Sequence, residues 1–126
     1  MVSYSSLFWV GIGGFLGSVL RFLVGVIFSR ALPGYFPYGT LTVNVVGCLL
    51  IGVLYGMASR ELLLDSGSKL WIVGFCGGFT TFSSFSYEGL RLLQEEQWLL
   101  YGGYTGGSVI FGLLATYVGW ALVRLG

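Results

Sequence analysis

The sequence predicts an all-α membrane protein with four transmembrane helices in one domain over residues 1–126. Only 9% of its residues are charged and 56% are hydrophobic, whereas soluble domains average about 25% charged residues. Charge-free windows cover 1–20, 31–59, 70–87 and 97–123, and the first continues apolar past Arg21 to Ser29. About 18 apolar residues indicate a membrane span, so we predict spans at about 5–28, 39–59, 70–91 and 98–123. Four buried helices of a soluble protein are the alternative, but these segments lack the polar faces such helices need.

The N-terminal stretch MVSYSSLFWVGIGG has no basic residue before its apolar run, so we interpret it as the start of the first helix and not as a cleaved signal peptide. A net charge of +1 offers no basic face, so no nucleic-acid partner is expected. The chain has no His and no acidic residue in the middle of a span, so an enzyme is not expected. Cys48 and Cys76 lie inside spans and are interpreted as small buried apolar residues.

Glycine accounts for 22 of the 126 residues, well above the typical ~7%. Many glycines form small-xxx-small pairs, which let membrane helices approach closely: Gly13/Gly17 and Gly14/Ser18 in the first span, Gly52/Gly56 in the second, Gly102/Gly106 and Gly103/Gly107 in the fourth. Packing within a monomer would explain such pairs. However, four helices can hardly enclose a pathway, so we favour a homodimer.

The basic residues favour neither orientation in the membrane. Arg60, Lys69 and Arg124 fall on one side, and Arg30 and Arg91 on the other, with Arg21 inside the first span. Without a positive-inside bias, the chain can insert both ways and pair antiparallel. A symmetry axis in the membrane plane would place a mid-membrane residue close to its own copy.

The third span holds the unusual stretch GGFTTFSSFSYE, residues 77–88. On a continuous helix, Phe75, Phe79, Phe82 and Phe85 would form one stripe, and Thr80, Ser83, Ser84 and Tyr87 would lie roughly opposite. Glycines followed by two threonines in mid-span predict a helix break, which is tolerated only where it is buried in protein or lines a cavity. The freed carbonyls would suit a cation. Phenylalanine ring edges would favour a small anion and ring faces a cation, and the sequence leaves this choice open.

Polar residues elsewhere in the spans have both structural and functional interpretations. Asn44, the only Asn, is either an interhelical hydrogen-bonding group or an NH₂ donor to an anion. Arg21 is expected to face the bundle interior or an aqueous cavity. Glu88 and Arg91 are three residues apart and positioned to pair, while Tyr104 and Ser108 share a face that would form a hydroxyl track or bond to other helices.

These segments resemble the fluoride channels of the Fluc (CrcB) family over nearly the whole chain. GGFLGSVLRF (13–22) is similar to the family's first-helix motif, and YGTLTVNVVGCLLIG (38–52) to its second-helix GTLxxNxxG pattern. GFCGGFTTFSSFSYE (74–88) resembles the long and specific GGxTTFSTFSxE signature of the third helix. Two departures stand out: Ser84 replaces a common Thr and keeps its hydroxyl, and Gly112 stands where some members carry a further hydroxyl.

The resemblance implies a passive fluoride channel that exports fluoride from microbial cytoplasm, acting as an antiparallel dual-topology dimer with two pores. It implies an anion pathway formed by Asn44, Phe82, Phe85, Ser83, Ser84, Tyr104 and Ser108, with Arg21 near a vestibule and Glu88 towards a pore end. It also implies a structural sodium ion at the dimer centre, held by the main-chain carbonyls of Gly77 and Thr80. The expected location is the bacterial or archaeal cell membrane.

Two alternative functions are compatible with parts of the sequence. A small multidrug exporter is also a four-helix dual-topology dimer, but it needs a membrane-embedded carboxylate, typically in the first helix, where this chain has Arg21 and no acid. An accessory subunit of a larger complex would explain the glycine faces but not the donor-rich break.

Overall fold

The structure, a computed structural model, describes residues 2–126, and all the regular structure in this range is helical. Three helices are long and apolar enough to cross a membrane: α1 (Tyr4–Ala31), α2 (Tyr38–Ser59) and α5 (Trp98–Arg124). Even α2, the shortest with 22 residues, is about 33 Å long at 1.5 Å per residue, enough for a hydrocarbon core of ~30 Å. With the interrupted span described next, they confirm an all-α membrane fold with a break in the third span.

The third span consists of two helical pieces separated by two extended residues. The first piece, here called α3, joins a short turn (Asp65–Gly67), a π-helical segment (Ser68–Cys76) and a second short turn (Gly77–Phe79). The second piece, α4, covers Phe82–Gln94. Thr80 and Thr81 between them are extended, with ψ of 159° and 119°. The break therefore lies at the threonines, while Gly77 and Gly78 stay helical.

The side chains of the two threonines explain why the helix stops and restarts here. The amide and Oγ1 of Thr80 both donate to the Cys76 carbonyl, at 3.0 and 2.8 Å, and so close α3. The Thr81 Oγ1 accepts from the Ser84 amide at 3.1 Å and caps the start of α4. Since β-branched residues also favour extended backbone, the sequence Thr-Thr encodes a helix C-terminus followed at once by a helix N-terminus.

Glycines bring the helices into backbone contact in two pairs. A Cβ on Gly17 of α1 would lie only 2.8 Å from the Phe79 amide nitrogen of α3. On the other side of the subunit, a Cβ on Gly52 of α2 would lie 2.9 Å from the Trp120 amide nitrogen of α5. By contrast, no heavy atom lies within 4 Å of a Cβ placed on Gly102, Gly103 or Gly106. The small-residue pairs of α1 and α2 thus serve packing within the subunit, whereas these α5 glycines have no close neighbour in it.

Apart from Arg21, which lies inside α1, the charged residues collect towards the two ends of the bundle. One end has the C-termini of α2 and α5 together with the start of α3, and carries Arg60, Asp65, Lys69 and Arg124. The opposite end has the loop of residues 32–37, in which Phe36 packs edge-on against Tyr104 with ring centroids 5.6 Å apart. Tyr104 is fully buried, so this loop covers α4 and α5 around Tyr104.

Candidate functional site

Side chains from α1 and α2 satisfy backbone groups that the break exposes. The Asn44 Nδ2 donates to the Thr81 carbonyl at 3.1 Å, and the Thr81 amide donates to the Asn44 Oδ1 at 2.8 Å. From the other side, the Arg21 Nε donates to the Gly78 carbonyl at 2.9 Å. Arg21 of the first span and Asn44 of the second thus both bind the break, and one N–H of the Asn44 amide remains after these bonds.

The same bonds leave two carbonyls of the break without a donor. In a continuous helix the Thr81 amide would bind the Gly77 carbonyl and the Ser84 amide would bind the Thr80 carbonyl. Here the Thr81 amide binds Asn44 and the Ser84 amide binds the Thr81 hydroxyl. Within residues 2–126, no hydrogen bond replaces them at the Gly77 and Thr80 carbonyls. Since nothing lies within 4 Å of a Cβ placed on Gly77, the chain is open at this point.

A groove of about 620 Å³ lies on the outer face of α2, α3, α4 and α5, beside the break. Besides aliphatic residues, it brings together many of the residues singled out in the sequence: Asn44, Gly77, Thr80, Thr81, Phe82, Phe85 and Ser108. The Ser108 Oγ is the one buried side-chain polar atom in the described part of the chain that lacks a hydrogen-bond partner. The groove therefore combines an aromatic wall with an unused hydroxyl.

The four phenylalanines do not form the single stripe predicted for a continuous helix, because the extended threonines change the direction of the chain. Phe75 and Phe79 stack on each other in α3 with centroids 5.6 Å apart. Phe82 and Phe85 form a second pair, 5.8 Å apart, at the start of α4. Phe82 is 80% exposed, an unusual position for a ring at the edge of a polar break.

Glu88 binds two hydroxyl groups and forms no ion pair with Arg91, so the expected pairing of these residues is wrong. The Thr40 Oγ1 donates to one carboxylate oxygen at 2.7 Å, and the Tyr104 hydroxyl donates to the other at 3.2 Å. These bonds link α2, α4 and α5 at one end of the bundle. For Tyr104 the structure favours the second alternative, a bond to another helix, because its hydroxyl binds Glu88 of α4, while Ser108 faces the groove.

A second polar space lies on the opposite side of the third span, between α1, α2 and α4. A crevice of about 270 Å³ is lined by Arg21, Thr40, Thr81 and Ser84 among others. It adjoins a cavity of about 400 Å³ that includes Glu88, and Thr40 lines both. Arg21 thus faces a cavity, as expected. Ser84 lies here and not in the groove, while Ser83 is exposed and within 3.3 Å of the Thr81 hydroxyl.

Two residues of this site were missed as functional candidates in the sequence. Thr81 was considered only as part of the helix break, yet it caps α4 and binds Asn44 through both backbone groups. Thr40 binds Glu88 and lines both the crevice of about 270 Å³ and the cavity of about 400 Å³ described above. Its spacing was the available signal, because Thr40 lies four residues before Asn44 and therefore on the same face of α2.

Fold and site together define a multi-pass α-helical membrane protein whose intramembrane polar groups gather around an interrupted helix. A family model described as "CrcB-like protein, Camphor Resistance (CrcB)" matches residues 8–120. A fluoride-specific ion channel FluC of Pseudomonas syringae pv. tomato is 52% identical over 92% of this chain and 94% of its own length. Proteins of the same name from Chlorobium luteolum (44% identical; 90% of this chain, 88% of the relative) and Flavobacterium psychrophilum (39%; 94% and 97%) are also similar.

The chain therefore belongs to the CrcB family.

Proposed function

We propose that this protein is a fluoride-selective passive ion channel that lets fluoride leave the cytoplasm and so confers fluoride resistance. The observation that carries this proposal is the groove beside the break, where Phe82 and Phe85 lie next to the unpartnered Ser108 hydroxyl. The names of the relatives, fluoride-specific ion channels, point to the same ion. The relatives in this family carry the name of an ion channel and not of an enzyme.

The mechanism follows from the small size and strong hydration of fluoride. A pore must replace its water with donors held at short distance, and larger halides gain less from closely spaced donors. The Ser108 hydroxyl and the second N–H of the Asn44 amide are donors in the groove with no competing partner. The positive edges of the Phe82 and Phe85 rings add a favourable environment without binding the ion strongly enough to trap it. We expect passive conduction, because the groove is lined by no Asp, Glu, Lys or Arg side chain that could relay protons.

The working unit that we propose is an antiparallel homodimer with two pores. The groove is open on the surface of one subunit, and Phe82 at its edge is 80% exposed. A second copy covering this face would close the groove into a pathway and bury the ring. The α5 glycines without close neighbours, Gly102, Gly103 and Gly106, offer a further face for close helix contact. A dimer mass for the purified protein is expected, and a stable monomer that conducts would contradict this part.

The break also suits a sodium ion between the two subunits. Sodium is a hard cation that unwound backbone carbonyls and helix C-terminal ends coordinate in membrane proteins. The Gly77 and Thr80 carbonyls lack donors, and Gly77 has open space beside it, so these residues fit the ion. When bound, the ion supplies positive charge and links the subunits, and it takes no part in chemistry. Replacing sodium with a bulky organic cation during purification should lower dimer stability; unchanged stability would remove the reason for the ion.

Efflux from liposomes that contain the purified protein tests the function directly. We expect fast loss of fluoride, measured with an ion-selective electrode, while chloride stays inside. Equal rates for both ions, or no flux of either, would contradict a fluoride channel. The proposed location is the plasma membrane of a bacterium or archaeon, where such efflux lowers cytoplasmic fluoride.

The role of the aromatic wall can be tested separately with Phe82→Ile. This change removes the ring edge but keeps an apolar side chain, so fluoride flux should fall while the protein stays assembled. Phe15→Ile is a matched control, because Phe15 is 67% exposed on α1 and lines none of the three cavities described above. Wild-type flux in the Phe82 variant would refute a pore-lining role.

A further inference from the structure

Two arginines meet where α2 and α5 end at the same side of the membrane. The Arg60 Nη1 donates to the Val123 carbonyl at 2.6 Å, and the Arg124 Nη1 donates to the Ser59 hydroxyl at 3.3 Å. Each arginine therefore reaches across to the residue that precedes the other. This exchange holds two positive charges side by side at the end of a helix pair.

Neither guanidinium is neutralised by a carboxylate. In residues 2–126 the only ion pair joins Lys69 to Asp65. Each of the two arginines spends one of its five N–H donors on the bond just described. Capping of the α5 C-terminus explains the Arg60 bond, and the Arg124 bond goes to a neutral hydroxyl, so the remaining donors and most of the positive charge are unused. Such a pair suits a phosphate group, which accepts several N–H donors at once.

Aromatic residues place this pair at the depth of lipid headgroups. The Arg124 guanidinium lies 5.7 Å from the centre of the Trp120 ring. Trp120 in turn contacts Tyr117, with centroids 6.1 Å apart. Both rings are partly exposed, at 39% and 59%. Exposed Trp and Tyr mark the membrane–water interface, so the arginines lie just outside the hydrocarbon, where phospholipid phosphates are found.

We propose that Arg60 and Arg124 form a binding site for the phosphate of an anionic phospholipid, whose acyl chains lie along Trp120. Zwitterionic lipids also carry a phosphate, but their ammonium group cancels its charge and would face two arginines. The site should therefore prefer a lipid such as phosphatidylglycerol over phosphatidylcholine. This inference does not depend on which ion the protein conducts.

Native mass spectrometry of the purified full-length protein with added lipids tests the site. We expect phosphatidylglycerol to be retained in preference to phosphatidylcholine, with a preference that falls as salt increases. Because one basic residue near a lipid surface contributes about fivefold in affinity, Arg60→Gln and Arg124→Gln should each weaken phosphatidylglycerol binding about fivefold. The double variant should weaken it about 25-fold, and Lys at both positions should restore part of the binding.

Arg30→Gln is the matched control, because Arg30 is an exposed arginine in the last turn of α1, at the opposite end of the bundle. It should leave lipid retention unchanged. Equal retention of the two lipids by the wild type, or an equal loss in the Arg30 and Arg60 variants, would overturn the site. Adding inorganic phosphate at millimolar concentration tests whether the two arginines bind a lipid phosphate or any free phosphate. It should not displace the lipid, and displacement would show an anion site with no preference for lipid. If the double variant fails to fold, the two single variants compared with Arg30→Gln still decide the matter.

Discussion

Replacing Asn44 with Ala tests whether the helix break depends on the amide that binds it. The change removes two interhelical hydrogen bonds, of 3.1 and 2.8 Å, and leaves the Thr81 carbonyl without a partner. Side-chain hydrogen bonds in membrane proteins contribute about 0.6–2 kcal/mol each, so the pair is expected to contribute about 1–4 kcal/mol. The same substitution frees the Thr81 amide to bind the Gly77 carbonyl again, which removes one of the two oxygens proposed for sodium.

The assay compares thermal unfolding in detergent with sodium and with a bulky organic cation. The Asn44 variant should unfold at lower temperature and should respond less to sodium than the wild type. Val46→Ala on the same helix is the control: Val46 is 40% exposed and has no polar group, so a loss below about 0.5 kcal/mol is expected. Equal losses in the two variants, together with an unchanged sodium response, would refute the view that Asn44 holds the break open.

Three further predictions concern the framework around this site. Gly17→Ala should lower the free energy of unfolding by about 1–3 kcal/mol, because the added methyl group overpacks α1 against α3. Gly11→Ala should be tolerated, because Gly11 has open space around it. Comparing the unfolding midpoints of the two variants tests this prediction. Arg21→Leu leaves the Gly78 carbonyl without its donor and should lower the free energy of unfolding by about 1–3 kcal/mol, by the same measurement. Arg21→Lys should recover part of this loss, and equal stability of the Leu and Lys variants would contradict the bond. Glu96→Gly should stabilise the protein by about 1 kcal/mol, because Glu96 has a φ of 58° that costs least for glycine, and a lower midpoint would contradict this.

Composition and charge placement were sufficient to predict the helical membrane fold, because long apolar segments have few other stable structures in a bilayer. The break in the third span was also predictable, but its position was not. Gly77 and Gly78 looked like the interruption, yet they remain helical. The threonines end one helix and start the next through their own hydroxyl groups. Since hydroxyls in membrane helices more commonly bond back to a carbonyl without ending the helix, the sequence pattern alone favoured the glycines.

The sequence pointed to many residues of the site, but it did not predict how they are arranged in space. Helical periodicity failed beyond Phe79, because two extended residues rotate α4 relative to α3 and separate Phe79 from Phe82. The pairing expected between Glu88 and Arg91 was a local one, at three residues' distance. A partner 48 residues away, Thr40, binds the carboxylate instead. Spacing rules describe neighbours on one helix, and they carry no information on which helix packs alongside.

The backbone groups of the break are treated in two different ways, and this difference explains the roles of Arg21 and Asn44. Arg21 supplies a donor to the Gly78 carbonyl, which has lost its helical partner. Asn44 does the opposite for Gly77, because it takes the Thr81 amide that the Gly77 carbonyl would otherwise bind. One polar side chain therefore satisfies the break and the other keeps a carbonyl available. A membrane protein that only needed a bent helix would have no use for the second arrangement, since an unpaired carbonyl at this depth is costly. This is the physical basis of our proposal that the carbonyls of the break receive a cation.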